Sequence, residues 1–398
     1  MCIKYRNCYN IYGGHIVINE TLLFADNPMV SNSKIRVKNC KIILAFKKKI
    51  IDGKAILLLI KLINDIQNTY HNVKMPLIIE LGNVIFADKL TIIIFECICH
   101  YLITCCGRCV YLQYSINTND IWTEGVMSSP LLILGTPDQY HIEKFNKKYI
   151  FDLYRSHFRR VVQPAKNDSL ALSRLMTEVE FFLKGFSVKD DCRDKISEVI
   201  VELIGNAGDH TNTECLVDID ITFPYTIKGT ENEVYGVNIV VANFSDRLFG
   251  SALKEKLKSL GDRKIPNDSR YHAVLEAYTN HRLQFSDKYL EEDFFNIASF
   301  QHKISGRNES LLVGGTGLTK LIKTLEKMSD AHKCYMLTGN RVVNFFHEHL
   351  EYDTNNWISF NGTKDFVTTI PAEGVLGECP IYFPGTAYNL NFVMRKEH

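Results

Sequence analysis

The chain has almost no net charge: 46 Lys and Arg against 45 Asp and Glu leave +1 over 398 residues. Near-neutrality removes the electrostatic case for a nucleic-acid or anionic-membrane partner, which a basic footprint would announce. Long apolar runs are missing too. The most hydrophobic stretch, Leu90 to Cys106, is interrupted by Glu96 and His100 and falls short of the roughly 20 residues a membrane span requires; a buried helix is expected there instead. No N-terminal segment joins a basic start, an apolar core and a small-residue cleavage site, so no secretory signal is expected and a cytoplasmic location is. Cysteine is plentiful, at 12 residues, yet the single Cys-x-x-Cys, Cys106-Gly-Arg-Cys109, has no second copy. Structural zinc sites usually pair two such knuckles. The group Cys97, Cys99, His100, Cys105, Cys106 and Cys109 therefore reads first as reduced thiols packed like small hydrophobes, and as a metal site second. Internal repeats and low-complexity tracts are absent.

What is present is an ordinary globular composition, 46% hydrophobic and 23% charged, over a length sufficient for two or three domains with cores. The charge is unevenly divided. Residues 1–150 hold 17 Lys and Arg against 11 Asp and Glu, and residues 151–398 hold 29 against 34, which suits mild attraction between two units.

Hydrophobic periodicity gives the elements. Cys40 to Phe46 reads as a strand, Ala55 to Tyr70 as an amphipathic helix, Pro76 to Phe86 as a strand pair or one bent strand, and Cys109 to Tyr114 as a strand after the buried helix. Strands alternating with helices suggest βαβ units. Residues 116–168 read as a connector, with a basic patch at His157 to Arg160 expected to be solvated surface. A helix with period 3.6 follows at Ser169 to Gly185, and Cys192 to His210, which carries the motif described below, is expected to be helical after it. Their partner strands are Cys215 to Phe223, Val234 to Ala242, Lys333 to Thr338 and Ala387 to Met394, an antiparallel or mixed sheet with helices on one face.

The chemistry concentrates in Glu202-Leu-Ile-Gly-Asn206-Ala-Gly-Asp209-His210 and Gly314-Gly315-Thr316-Gly317-Leu318. On a helix, Glu202, Asn206 and His210 share one face. An Asn oxygen is a hard ligand that suits Mg²⁺, and a Glu one turn away can polarise an attacking water. The Gly-Gly-Thr-Gly run opens the amphipathic segment Leu318 to Met328, where backbone N–H groups at a helix N-terminus favour anions. With the closing segment Pro384-Gly-Thr386 to Met394, this order resembles the GHKL superfamily of ATPases over about residues 165–398.

That resemblance implies an ATP-binding α/β sandwich of the Bergerat type, with Asn206 as Mg²⁺ ligand and Glu202 as general base. Asp209, His210, Gly314, Gly315, Thr316, Gly317, Leu318 and Thr386 would line the nucleotide. The family's Asp-x-Gly-x-Gly is replaced: Val237 to Ala242 is followed by Asn243-Phe-Ser245, so Asn243 and Ser245 stand where Asp and Gly are expected. An Asn can accept from an adenine amine or donate to a purine carbonyl. Residues 250–313 occupy the place of the family's ATP lid, with Lys303 and Arg307 able to reach phosphate on closure.

The segment Pro76 to Asp88, with the following helix and Gly107 to Leu112, resembles a STAS domain. Its implied extent is 1–130, with 131–168 as connector and 169–398 as the ATP-binding domain. STAS phospho-switches carry a Ser after the Asp; here Thr91 is the nearest hydroxyl, and a cap is its simpler role. The two resemblances together imply a magnesium-dependent ATPase working as a regulatory switch, with a protein partner or a second copy of the chain. A serine kinase of the anti-sigma type and a non-hydrolysing nucleotide-binding module are the alternatives. A sensor histidine kinase is excluded, since His157 is followed by Phe158 and Arg159 and not by an acidic residue.

Overall fold

Two aspartates start the helices around which the N-terminal unit is built. The computed structural model describes residues 19–25, 35–46, 48–71, 73–115, 131, 144–145, 147, 149, 153–154, 157–164, 168–186, 188–211, 213–226, 233–260, 269–304, 317–328 and 334–395. A short helix, α1 (Thr21–Ala25), precedes the strands β1 (Arg36–Lys38), β2 (Lys41–Ala45) and β3 (Ile50–Ile51). Asp52 then accepts from the Ala55 N–H at 2.9 Å and opens α2 (Gly53–Tyr70). After β4 (Leu77–Asn83) and β5 (Ile85–Phe86), Asp88 accepts from the Thr91 N–H at 2.8 Å and opens α3 (Lys89–Thr104). Strand β6 (Val110–Ser115) follows, and β2, β4 and β6 pair in parallel with β1 antiparallel at the edge. Parallel neighbours require crossovers, which α2 and α3 supply. The elements read from periodicity occur here with ends shifted by a few residues.

The second sheet is antiparallel throughout its described pairs. It contains β7 (Leu153–Tyr154), β8 (His157–Val162), β9 (Cys215–Ile221), β10 (Tyr225–Thr226), β11 (Glu233–Phe244), β12 (Tyr335–Asn344) and β13 (Leu376–Arg395). Its order is β12-β13-β11-β9-β8-β7, with β10 paired to β11. One face carries Val217, Ile219, Val237, Ile239, Val241, Leu390 and Phe392. These residues pack with helices α4 (Ala171–Lys184), α5 (Asp190–Thr211), α6 (Ser251–Leu260), α7 (Arg270–Arg282), α8 (Glu291–Ala298) and α9 (Gly317–Met328). The alternating set, Leu216, Val240, Ala242, Phe244 and Ala387, joins the core of α2 and α3.

The helices that follow the connector pack on one side of the large sheet, and its other side is covered by α2 and α3 of the N-terminal unit. Burial on both faces explains why β9 is buried at every position, reading as a continuous run and not as an alternation. Two expectations are corrected by this arrangement. The connector contains β8, which pairs with β9 in register Arg159↔Asp218 and is no linker. The described part of the 250–313 lid is built into the core: Leu253, Tyr271, Val274, Phe294 and Ile297 are buried, and Arg341 of β12 grips Asp293 at 2.8 and 2.6 Å.

Helix α3 lies between the two sheets and is buried at nearly every position, the condition for a helix that is apolar all round. Its polar residues meet the large sheet. Lys89 ion-pairs with Asp218 at 2.5 Å and also with Asp220. Arg159 pairs with both Glu96 and Asp218, and the His157 Nε2 lies 2.8 Å from Asp218. The expected solvated patch is thus half interior: His157 is 0% and Arg159 1% exposed. Their partners, 61 and 59 residues downstream on the neighbouring strand, are what hold them inside. The cap of α3 is also completed from afar, since the Leu90 N–H donates to Asn389 at 3.1 Å and the Tyr335 hydroxyl to Asp88 at 2.8 Å.

Burial disfavours the charge on Asp218, but Arg159, His157 and Lys89 outweigh it and hold its carboxyl well below the usual range. Burial likewise opposes the Lys89 ammonium, and Asp218 and Asp220 reverse that, raising its pKa. Asp218 therefore stabilises the fold above the unfolded carboxylate range, and the effect fades only as pH falls through its depressed native value. Lys89 stabilises below the unfolded lysine range, fading as pH rises through its elevated one. Lys89→Met should cost about 3–5 kcal/mol by leaving two buried carboxylates undercompensated. Urea unfolding should show that loss unchanged between about pH 5 and 9. Adding Asp220→Asn should recover part of it; a loss below about 1 kcal/mol for the single variant would remove the cluster from the fold's energetics.

Candidate functional site

Helix α5 leaves the core along its length. Ile196, Val199, Ile200, Leu203 and Ile204 are buried, whereas positions 205–208 are all half-buried. Glu198, Glu202 and Asn206 recur every four residues and form one stripe. At the head of that stripe, Glu198 pairs with Lys320 in the first turn of α9 at 3.2 Å. The pair is exposed and adds little stability. What it shows is that the helix carrying Glu202 and Asn206 lies beside the helix that follows the glycine run. Glu202 and Asn206 are half-buried, and neither side chain hydrogen-bonds to another described residue. Their oxygens are the hard, available donors a magnesium-bound phosphate would need.

Several sequence-assigned residues fall outside what is described. Gly314, Gly315, Thr316 and Arg307 lie outside the described residues, as do the side chains of Asp209 and His210. Gly317 and Leu318 begin α9, and Leu318 packs against the core.

Asn243 and Thr386 are register partners at one end of the large sheet. By strand alternation both face the α5 side, as Val241 and Tyr388 do. The Asn243 amide donates to the Thr213 hydroxyl at 2.7 Å and to the Glu214 carbonyl at 2.9 Å. Thr213 in turn meets the Thr211 hydroxyl at 2.8 Å, so Asn243 ties the sheet to the end of α5. Because a carbonyl only accepts, the amide orientation is fixed, leaving the side-chain oxygen of Asn243 without a donor among the described residues. Ser245 is buried and accepts from the Arg247 N–H at 2.9 Å, closing a turn. Gly385, at φ 102°, allows this crossing: a Cβ there would stand 2.1 Å from the Asn243 carbonyl oxygen.

Sequence reasoning missed Glu198, Lys320 and Thr213. The four-residue repeat ending in Glu202 could have pointed to Glu198; nothing local marks the other two.

The remaining candidates resolve into structural roles. Thr91 is not the cap: its N–H and hydroxyl both donate to Asp88, which is. Among the described residues no group of three or more His, Cys, Asp or Glu is placed to hold a metal ion. Cys97 meets the Tyr149 hydroxyl at 2.8 Å, and His100 meets Glu20 at 2.6 Å while stacking on Tyr149. Cys109 is exposed, whereas Cys97 and Cys99 are buried. Burial pushes the Cys97 and Cys99 thiols up, consistent with packed, unreactive sulfurs. No helix among the described residues is long and apolar enough to cross a membrane. No protein-family model, no curated protein and no solved structure matches the chain.

The two bonds donated by Asn243 reverse the simplest expectation for a carboxylate at this position. Asn243→Asp would turn an oxygen toward the Glu214 carbonyl, leaving that acceptor unpaired. Thermal or urea unfolding should show a loss of about 1–3 kcal/mol. A variant as stable as the parent would mean that the amide does not hold the end of α5.

Proposed function

We propose that the chain is a magnesium-dependent nucleotide-binding ATPase that acts as a regulatory switch, using the outer stripe of α5 and the start of α9. The observation that carries this reading is the Glu198–Lys320 pair. It sets the Glu202–Asn206 stripe beside the glycine-led helix, which is the juxtaposition nucleotide chemistry needs. Asn206 would hold magnesium through its side-chain oxygen, and Glu202 would accept the proton of an attacking water. When bound, magnesium would neutralise phosphate charge. The N–H groups at the start of α9 would orient the phosphates along the helix dipole.

Asn243 enters the proposal as an acceptor. With its amide spent on Thr213 and Glu214, it could take a hydrogen bond from an exocyclic amine and could not donate to a base carbonyl. That favours adenine over guanine, by a neutral bond weaker than a carboxylate would form. Phosphorylation in cis at Thr91 is not part of this reading, since that hydroxyl is buried and committed to Asp88.

Glu202→Gln should slow ATP hydrolysis by about 10²- to 10⁴-fold, the usual contribution of a general base, with nucleotide affinity nearly unchanged. Phosphate release and equilibrium binding, measured in parallel, check it; equal turnover in parent and variant would remove Glu202 from the mechanism. Asn206→Ala should lower the magnesium dependence of ATP binding, read by calorimetry across a magnesium series. Binding without turnover in the parent would make the chain a non-hydrolysing module.

A further inference from the structure

A second group of basic side chains surrounds a different stripe of α9. The Arg270 guanidinium stacks on Trp357 at 3.8 Å and donates to the carbonyls of Asn355 and Asn356 at 2.8 and 2.9 Å. Its Nε is buried without an acceptor. His302 Nδ1 lies 3.2 Å from the Thr319 hydroxyl, and Lys323, one turn beyond Thr319, sits 6.0 Å from the Tyr352 ring centre. Lys303 follows His302 and is exposed. Among the described residues no carboxylate ion-pairs with Arg270, His302, Lys303 or Lys323. Asp353, whose charge favours the Arg270 guanidinium, makes no ion pair with it and spends one oxygen on the N–H groups of Asn355 and Trp357, each at 2.8 Å.

We propose that Arg270, His302, Lys303 and Lys323 form an oxyanion site for a phosphoryl-type group, distinct from the proposed nucleotide stripe. Arg270 is pre-set by its carbonyls and by the indole and keeps one N–H on each terminal nitrogen for an oxyanion, while the solvated Lys303 and Lys323 add attraction from two further segments. Thr319 is not itself a ligand, because its hydroxyl is occupied by His302 and Tyr352. The groups facing His302 are Arg270 from α7, neighbouring Lys303, Thr319 and Lys323 from α9, and Tyr352. Partial burial and the three cations keep His302 below its ordinary pKa. An arriving dianion would reverse that repulsion and recruit a proton, so affinity rises as pH falls.

Calorimetric titration of the full chain with inorganic pyrophosphate tests the site. In the Lys303→Ala/Lys323→Ala variant, where both substitutions are at exposed positions, affinity should fall at least about tenfold with an unchanged thermal midpoint. Asn206→Ala and Glu202→Gln should leave pyrophosphate binding intact; loss in those variants, with the lysine pair indifferent, would move the anion to the nucleotide stripe and overturn the proposal. Sulfate, doubly charged throughout, should bind more tightly at pH 6 than at pH 8, and His302→Gln should flatten that difference. A parallel titration with phosphoserine names the source of the group: tighter pyrophosphate assigns a free phosphate compound, tighter phosphoserine a modified side chain. Absence of binding by both probes at millimolar concentration overturns the site, whatever the outcome of the ATP assays.

Discussion

Six ionisable side chains buried between a helix and a sheet are the constraint on which the rest of this structure depends. Lys89 and Glu96 come from α3, His157 and Arg159 from β8, and Asp218 and Asp220 from β9. Such a cluster is a weak source of net stability, because desolvation consumes most of the attraction. Its force lies in what it forbids. A slip of β8 against β9 by one residue would turn Arg159 toward the apolar core of α4 and α5 and leave Asp218 facing α3 alone. The same holds for α3, whose register along the sheet is set by two charges seven residues apart. Asn238 extends the arrangement by donating to Asp220 at 2.9 Å, reaching the strand beyond.

Once α3 is locked to that face, the position available for a site narrows. Helices α4, α5 and α9 occupy the other face, so both broad surfaces of the large sheet are closed. What remains are the ends of the sheet and the outer stripes of its helices. At one end the end of α5, the Asn243–Thr386 register pair and the Gly385 crossing converge. Asn243 serves that convergence structurally through Thr213 and Glu214 while keeping one oxygen uncommitted. A single amide side chain can do both because it donates on one side and accepts on the other. A carboxylate could not.

The helices were largely legible from the sequence, because their signals are local. Apolar spacing marked α2, α4 and α9, the Glu202–Asn206 motif marked α5, and unbroken hydrophobicity marked α3 as interior. β8 was not legible. His157-Phe-Arg-Arg160 carries more charge than a strand usually buries, and the carboxylates that make it tolerable lie on β9, with Glu96 far upstream on α3. The segment after Gly250 misled for a related reason: its charge suggested a solvated lid, yet Asp293 is consumed by Arg341 of a strand about fifty residues later. Asn243 could be located from its strand, but not its bonds, since both acceptors sit in the preceding helix-to-strand turn.

By itself the sequence determined most of the helices, the strands other than β8 that line the two sheets' centres, and that Glu202 and Asn206 share a helix face. Those properties depend on spacings of a few residues. Only the tertiary structure decided which face of the large sheet α3 would cover, that Lys89 would meet Asp218 and Asp220, and that Glu198 would find Lys320 and set two distant segments side by side. Each of those depends on pairing buried charge or placing complementary groups across a long stretch of chain, and a charge's partner is chosen by where burial leaves it without water.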